Sequence, residues 1–322
     1  MRLAGPNGLP GRCFRAEHPA PTALAAYDRG VAGRDWDIVS GIGVTALAVA
    51  AARAIESCRD DRLINDPHAE TLVRAAGKGM AFPTTPEELA AIPDDGRRWA
   101  ERIDHYIGVR SRCFDDFFAQ VAESGVRQFV ILAAGLDTRA YRLDWPAGTA
   151  VFELDQPKVL QFKQEVLDRV EPGCEHRMLG IDLREDWPAA LIAAGLDVGV
   201  PTGWLAEGLL PYLPGEAERE LLRAITDLSA PGSRLAVEEF RDTSKIANDA
   251  KISEYSKQQG MDVSAILHDG GRPPTADLLA ELGWSSEVET SEDAAVRLGR
   301  DPGLAIGPML DVSRFVAASK PR

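Results

Sequence analysis

A glycine and an aspartate within residues 128–156 have the types and spacing that could bind a nucleoside. Gly135 follows a continuous apolar run over residues 129–133, and Asp155 ends a second β-rich run 20 positions after Gly135. In dinucleotide-binding folds a glycine permits the tight turn after the first strand, and an acidic residue about 20 positions later accepts hydrogen bonds from the ribose hydroxyls. The spacing therefore predicts an adenosine site, with a plainer alternative in which Asp155 caps the helix that starts near Pro157.

The turn itself indicates which adenosine ligand to expect. A nicotinamide-dependent enzyme would carry GxGxxG here, whose backbone amides approach a pyrophosphate, whereas residues 133–139 contain one glycine and also Asp137, which would repel phosphate. A ligand with adenosine and no phosphate fits better, and S-adenosyl-L-methionine is the commonest such cofactor in a doubly wound fold. An NAD(P)-dependent oxidoreductase and a plain turn without a ligand are the alternatives.

Two further acidic positions end strands of the predicted sheet. Asp182 and Leu183 follow the third strand, where a carboxylate and a backbone amide could bind the adenine; a strand-end cap is the alternative. Glu207 interrupts the apolar run that ends the fourth strand, and a charge there is costly without a partner or a task. Because the fourth strand should pair with the first at the topological switch point, we expect Glu207 to face the same crevice.

Candidate residues for the rest of the site are less specific. Arg110, on a predicted long helix over 96–123, could bind a carboxylate of the ligand through its guanidinium fork, although most helical arginines are solvated. Tyr212 and Trp204, near the end of the fourth strand, could line an acceptor pocket, with core packing the favoured alternative. His105 and His268 are the only candidates for a general base, so no catalytic residue is assigned.

The elements that must position these residues alternate along the chain as in a parallel sheet covered by helices. Strands are predicted at 128–134, 149–154, 175–181, 202–209, 233–239, 284–290 and 313–319. Helices are predicted at 36–57, 156–170, 186–194, 215–229 and 273–282, with a polar insert of helical pattern between the fifth and sixth strands.

Composition excludes several classes of protein. The net charge is −14 and no basic stripe with interleaved aromatic residues occurs, which argues against nucleic acid as a partner. Four scattered cysteines lack metal-ligand spacing, so no metal site is predicted, and reduced thiols in a cytoplasmic protein are expected. The longest small-apolar run, residues 44–52, is too short to span a membrane.

Several of these motifs together resemble one family. The segments AAGLDTRAYRL, FELDQPKVLQFK, GIDLREDWPAAL and PTGWLAEGLLPYLP, with WDIVSGIGVTALAVAAARA, LINDPHAE and RSRCFDDFF before them, are similar to leucine carboxyl methyltransferase-like enzymes. The resemblance runs from about residue 35 to the C-terminus and is strongest to the S-adenosyl-L-methionine-dependent branch that is abundant in mycobacteria and other actinobacteria. It implies an α/β fold, the class I methyltransferase Rossmann-like doubly wound sheet of seven strands with the last antiparallel.

The resemblance also implies a domain organisation and a set of contacts. Residues 1–34 would be a flexible tail, 35–125 a helical lid, and 126–322 the cofactor-binding core with a helical insert near 244–272. The implied cofactor contacts are Gly135 at the methionine part, Asp155 at the ribose, Asp182 and Leu183 at the adenine, Glu207 near the cofactor, and Arg110 at the carboxylate of the cofactor. The resemblance supports a second basic contact, from Arg53, less specifically. The implied activity is O-methylation of a small-molecule carboxylate or hydroxyl; a cofactor-binding protein without catalysis is a further alternative.

Overall fold

The computed structural model describes residues 42–77, 82–250, 253–254, 257, 266–268, 272–304 and 312–322. The predicted tail, the first residues of the predicted helix 36–57 and much of the predicted insert 244–272 lie outside these residues. The boundaries of the lid and the core stay predictions.

Seven strands form one sheet in the order β3-β2-β1-β4-β5-β7-β6. They are β1 (Gln128–Leu132), β2 (Ala150–Asp155), β3 (Glu175–Gly180), β4 (Thr202–Ala206), β5 (Arg234–Phe240), β6 (Ser285–Thr290) and β7 (Ser313–Ser319). Strands β1 to β5 are parallel, and β7 pairs antiparallel with both β5 and β6. The predicted fold class, with its seven strands and antiparallel last strand, is confirmed.

The helices lie before the sheet and in its crossovers. They are α1 (Ile42–Ser57), α2 (Ala69–Ala75), α3 (Pro86–Ala90), α4 (Asp94–Glu123), α5 (Arg139–Arg142), α6 (Pro157–Val166), α7 (Trp187–Ala193), α8 (Gly215–Asp227), α9 (Ser244–Ala247), α10 (Thr275–Glu281) and α11 (Ser291–Arg297). Helix α11 is not predicted from the sequence; it follows β6 directly, with no intervening turn residues to mark where the helix begins.

The centre of the sheet brings the candidate residues to one edge. Strand β1 lies between β2 and β4, with Leu132 opposite Leu154 on one side and Ala206 on the other. The chain therefore leaves all three strands at the same level, and the residues that follow them share one crevice. This is the switch point at which open α/β sheets bind ligands.

Both faces of the sheet are buried, as the continuous apolar runs predict. Successive residues of β1 point to opposite faces: Val130 packs with Trp187 and Trp204, whereas Phe129 packs with Phe118 of α4. Trp204 is fully buried and packs edge-to-face on Trp187, with ring centroids 6.4 Å apart, so its favoured interpretation as a core residue is confirmed.

Helices α1 and α4 cross closely near Gly108. A Cβ atom on Gly108 would lie 2.8 Å from the carboxyl carbon of Glu56, so a larger residue would displace this carboxylate, which pairs with Arg300. This close packing fixes α1 beside the carboxyl edge of the sheet. In the part of the chain that the structure describes, no helix is long and apolar enough to cross a membrane.

Candidate cofactor site

A cavity of about 250 Å³ lies at the carboxyl ends of β1 to β4, beneath α1. Its walls come from the turns after these four strands and from one face of α1. All six residues predicted to bind the cofactor line it, namely Arg110, Gly135, Asp155, Asp182, Leu183 and Glu207. The structure thus brings together residues that are up to 97 positions apart in the sequence.

The turn after β1 and the end of β2 are joined by a hydrogen bond. Gly135 has a φ of +51°, which favours a residue without Cβ, and its amide donates to Asp155 Oδ2 at 2.6 Å. The Gln156 amide donates to Asp155 Oδ1, also at 2.6 Å. Burial raises the pKa of Asp155, and the two amides only partly offset it. Each oxygen keeps a lone pair with which it could accept from a ribose hydroxyl.

Asp182 is held rigidly at the end of β3. Arg184 donates from its backbone amide and from its guanidinium, with Nη2 to Oδ2 at 2.6 Å, and Gln156 Nε2 donates to the same oxygen at 2.7 Å. Burial raises the pKa of Asp182, but these donors outweigh it and the pKa lies below its ordinary value. Asp182 is thus an ionised acceptor beside Leu183 in the part of the cavity that β3 forms.

Glu207 belongs to a buried group of charges and is not an isolated acid. Its Oε1 lies 2.8 Å from Arg110 Nε, and its Oε2 accepts from Arg139 Nη1 at 2.7 Å. Arg110 also contacts the carboxylate of Glu238 in β5, at 3.2 Å. Burial alone would lower the pKa of Arg110, yet the two glutamates raise it well above its ordinary value. The partner that a buried Glu207 requires is therefore a pair of arginines.

Glu238 connects this group to the protein core. It is fully buried, and its oxygens accept from the Tyr106 hydroxyl and, at 2.7 Å, from the Gly208 amide. Gly208 has a φ of +62°, and a Cβ there would lie 3.8 Å from Glu238 Oε2. Glu238 therefore fixes the backbone directly after Glu207. The sequence analysis missed it, although a charge within the apolar run of β5 is the same signal that identified Glu207.

Arg139 is the cation at the turn after β1. Its guanidinium contacts three carboxylates, those of Asp115, Asp137 and Glu207, at 2.5–2.7 Å. Burial raises the pKa of Asp137, but Arg139 and other cations outweigh this and set it at about 2. Two further arginines share these carboxylates: Arg142 lies 2.6 Å from Asp115, and Arg110 lies 2.8 Å from Glu207. The three carboxylates are thus matched by three arginines, and the repulsion of a pyrophosphate by this turn stays a prediction.

Arg53 of α1 lines the same cavity. Its Nε donates to Asp66 Oδ2 at 2.8 Å, and its Nη2 donates to the Leu136 carbonyl at 2.6 Å. Asp66 also accepts from the Thr138 hydroxyl at 2.7 Å. These bonds hold α1 over the turn after β1. Asp66 and Asp115 were missed as individual residues, although both lie in segments that carry the family resemblance.

Of the residues considered for the acceptor pocket and for a general base, some line the cavity and others do not. Tyr212 lines the cavity and shares a side-chain hydrogen bond with Thr45 of α1, contrary to the core packing that the sequence analysis favoured. Neither His105 nor His268 is among the residues that line the cavity. Burial lowers the pKa of both imidazoles.

The polar groups that line the cavity match an adenosyl ligand without phosphate. Carboxylates stand at the ends of β2 and β3, where the two ribose hydroxyls and the adenine amino group need acceptors. In the turn after β1, the Gly135 amide already donates a hydrogen bond to the Asp155 carboxylate. A seven-stranded sheet with one antiparallel strand and this cavity defines the chain as a class I methyltransferase.

Comparisons with known proteins identify the family. The family model of leucine carboxyl methyltransferase matches residues 46–226. A relative from Saccharopolyspora erythraea, named "Putative S-adenosyl-L-methionine-dependent methyltransferase", is 48% identical over 271 residues, which cover 84% of this chain and 92% of the relative. A relative of the same name from Mycobacteroides abscessus is 46% identical over 289 residues, again 84% and 92% of the two chains.

Solved structures show the same fold at lower identity. A DUF574 family protein from Streptomyces avermitilis aligns with a TM-score of 0.53 and 15% identity, covering 86% of this chain and 97% of that one. A methyltransferase-like protein from Thermobifida fusca aligns with a TM-score of 0.52 and 18% identity, covering 86% and 94%. The chain belongs to the leucine carboxyl methyltransferase family. The predicted class, an enzyme that depends on S-adenosyl-L-methionine, is confirmed, and the nicotinamide and non-catalytic alternatives are set aside.

Proposed function

We propose that the protein transfers a methyl group from S-adenosyl-L-methionine to a carboxylate oxygen of a small molecule. The observation that carries this proposal is the hydrogen bonding of the four carboxylates that line the cavity. Asp137, Asp155, Asp182 and Glu207 each accept a hydrogen bond from a backbone amide or an arginine. All four carboxylates are thus engaged by donors, and the pKa values of Asp137 and Asp182 lie below the ordinary value, so these two are poor bases for a hydroxyl acceptor. Asp155, whose pKa is raised by burial, is assigned to the ribose. An acceptor carboxylate is already ionised at neutral pH and needs no base.

Residue roles at the cofactor follow from the walls of the cavity. We assign Asp155 to the ribose hydroxyls and Asp182 with the Leu183 amide to the adenine, because they end neighbouring strands on the same side. We assign Gly135 to the methionine part of the cofactor. Arg110 and Glu207 both line the cavity and form an ion pair at 2.8 Å. We assign the Arg110 guanidinium to the cofactor's carboxylate and the Glu207 carboxylate to the cofactor's amino group.

Methyl transfer requires the protein mainly to position the acceptor relative to the methyl group. When bound, the sulfonium supplies a methyl group that is already electrophilic. The chain's own contribution is to align the acceptor oxygen for an in-line displacement and to limit the water around it. The ion pairs of Arg139 with three carboxylates fix this wall in place before the reaction begins.

The acceptor side of the cavity is apolar. Leu209, Leu213 and Pro214 follow β4, and Ala46 and Val49 of α1 also line the cavity. A hydrogen bond between Tyr212 and Thr45 joins the segment after β4 to α1. We therefore propose an acceptor with an apolar body next to its carboxylate. Cys58, Cys113 and Cys174 are free thiols, which supports a cytoplasmic location.

A paired acceptor panel tests the proposal. Small apolar carboxylic acids, each with the primary alcohol of the same carbon skeleton, are incubated with the protein and tritiated methyl donor. Labelled products are then treated with mild alkali, which hydrolyses methyl esters to volatile methanol and leaves methyl ethers intact. We expect alkali-labile label from acids and none from their alcohols. Alkali-stable label from the alcohols would contradict the carboxylate assignment.

A further inference from the structure

Arg272, which precedes α10, lies outside the cavity but contacts the segment that forms the cavity's acceptor wall. Its Nη1 donates to the Leu210 carbonyl at 2.6 Å, and its Nη2 donates to the Leu213 carbonyl at 2.6 Å. Nη2 also donates to the His268 carbonyl at 2.8 Å. One guanidinium thus binds three backbone carbonyls from two separate segments of chain.

Two of the carbonyls that Arg272 binds, those of Leu210 and Leu213, lie in and directly after a short turn that needs external support. The 3-10 helix Leu210–Tyr212 is only three residues long and is followed directly by Leu213 and Pro214. Its internal bonds are those from the Tyr212 amide to Leu209 and from the Leu213 amide to Leu210. A buried carbonyl at the end of such a turn must find a donor elsewhere, and here the donor is Arg272.

A second contact acts in the same direction. The His268 amide donates to the Pro211 carbonyl at 2.9 Å. The His268 carbonyl is shared by Arg272 and by the Thr243 hydroxyl, which donates at 3.0 Å. The acceptor wall is therefore held from behind by residues 243, 268 and 272, which lie outside the cavity, and not by the sheet alone.

An ordinary ion pair does not account for Arg272. Among the described residues its carboxylate partner is Glu218 of α8, which lies 3.2 Å from Nη1, farther than any of the three carbonyls. The Arg272 side chain is 13% exposed and that of Glu218 is 2% exposed. Glu218 also accepts from the Thr275 hydroxyl at 3.0 Å. The carboxylate therefore compensates the buried charge, and the planar fork of donors is used on the backbone.

We infer that Arg272 is a positioning residue for methyl transfer, because it fixes residues 209–214 and hence the wall against which the acceptor is aligned. This goes beyond the proposed function, since it holds for whichever acceptor the enzyme uses. Lysine would not reproduce these contacts, because one ammonium nitrogen replaces the two guanidinium nitrogens that bind separate carbonyls. The proposed cofactor residues Asp155 and Asp182 follow β2 and β3, and Glu207 is held by Arg110 and Arg139 and not by Arg272.

Amide hydrogen exchange of the full-length protein tests this inference. In Arg272→Lys, we expect the Tyr212 and Leu213 amides to exchange about tenfold faster, because the turn loses its external donors. Amides of β1 should exchange at the wild-type rate. The affinity for S-adenosyl-homocysteine, measured by calorimetry, should stay within about threefold, because its main partners lie elsewhere.

Two matched variants complete the test. Glu218→Gln leaves the charge of Arg272 unpaired and lowers the global stability, but it keeps the guanidinium on the carbonyls. The exchange of the Tyr212 and Leu213 amides relative to the amides of β1 should therefore be as in the wild type. Arg219→Lys changes an exposed arginine of α8 that pairs with Glu281, and it should change nothing. Equal acceleration relative to β1 in Glu218→Gln and Arg272→Lys would overturn the inference, as would unchanged Tyr212 and Leu213 amides in Arg272→Lys. Faster exchange throughout β1 in Arg272→Lys would assign Arg272 a general structural role and overturn it too. The exchange readout does not require methyl transfer, so its failure is distinguishable from that of the proposed function.

Discussion

The Gly135 amide donates a hydrogen bond to Asp155 Oδ2 at 2.6 Å, so the turn after β1 and the end of β2 form one rigid unit. The Gln156 amide holds the other oxygen of Asp155 at the same distance. The carboxylate is therefore oriented before any ligand arrives. Preorganisation of this kind lowers the entropy that a ligand must lose on binding.

Arg110 and Arg112 are two positions apart on α4 and should behave differently. The Arg110 side chain is 8% exposed and contacts Glu207 and Glu238, whereas that of Arg112 is 43% exposed and pairs with Asp116. Removing one partner of a buried ion pair costs about 3–5 kcal/mol, because the remaining charge is left unpaired. We expect Arg110→Met to lower the free energy of unfolding by about that amount.

The matched variant Arg112→Met should lower it by less than about 1 kcal/mol, as exposed pairs do. Urea unfolding monitored by circular dichroism gives both values. Arg110→Met should also weaken S-adenosyl-homocysteine binding, whereas Arg112→Met should not. A similar loss of stability in the two variants would contradict the description of Arg110 as part of a buried group of charges.

Asp104 of α4 predicts a dependence of stability on pH. Its side chain is buried, and its Oδ2 has no hydrogen-bond partner among the described residues. Burial, with Glu56 and Glu101 nearby, raises its pKa from 3.8 to about 8. The folded state thus holds this proton more tightly than the unfolded state. The contribution of Asp104 is fully present below pH 3.8 and is lost as the pH rises through about 8.

Asp104→Asn removes this loss. We expect the variant to be more stable than the wild type by a few kcal/mol at pH 8, with a difference that shrinks toward zero near pH 4. Chemical denaturation across that range measures it. Asp168→Asn, at a side chain that is 63% exposed, is the control and should change little at either pH. A gain that did not vary with pH would contradict the assignment to ionisation.

The pH dependence of methyl transfer distinguishes the two kinds of acceptor. If the acceptor is a carboxylate, no proton leaves it during the reaction, and we expect the rate to vary by less than about twofold between pH 6.5 and 8.5. Asp137, with its pKa at about 2, and Asp182, with a lowered pKa, stay ionised throughout this range. A logarithmic rate that climbs with unit slope through this range would indicate a base acting on a hydroxyl.

The centre of the sheet could be predicted from the sequence because β1 and β4 are apolar runs bounded by turn residues. Asp155 and Glu207 could be found because each ends such a run, and the rule for parallel sheets places both at one edge. The arginines that neutralise Glu207 could not be predicted in the same way. Arg110 and Glu207 are 97 positions apart, and their contact depends on how α4 crosses the sheet, which no local pattern records.

Glu238 and Arg272 show two different limits. Glu238 could have been predicted from the sequence, since it is a charge inside an apolar run of β5. Arg272 could not, because an arginine that binds three carbonyls has the same sequence signature as one on the surface. Its role follows only from distances between backbone atoms and a side chain more than 50 residues away along the chain.

The cofactor site as a whole is tested most directly by calorimetric titration of S-adenosyl-homocysteine into the wild type, Asp155→Ala and Asp186→Ala. Asp186 is also an aspartate near the carboxyl edge, but it only caps α7. We predict that Asp155→Ala weakens binding at least about tenfold, or about 1.4 kcal/mol, whereas Asp186→Ala binds like the wild type. Wild-type affinity in Asp155→Ala would contradict the assignment of the ribose to Asp155, and binding of NAD in place of S-adenosyl-homocysteine would contradict the site altogether.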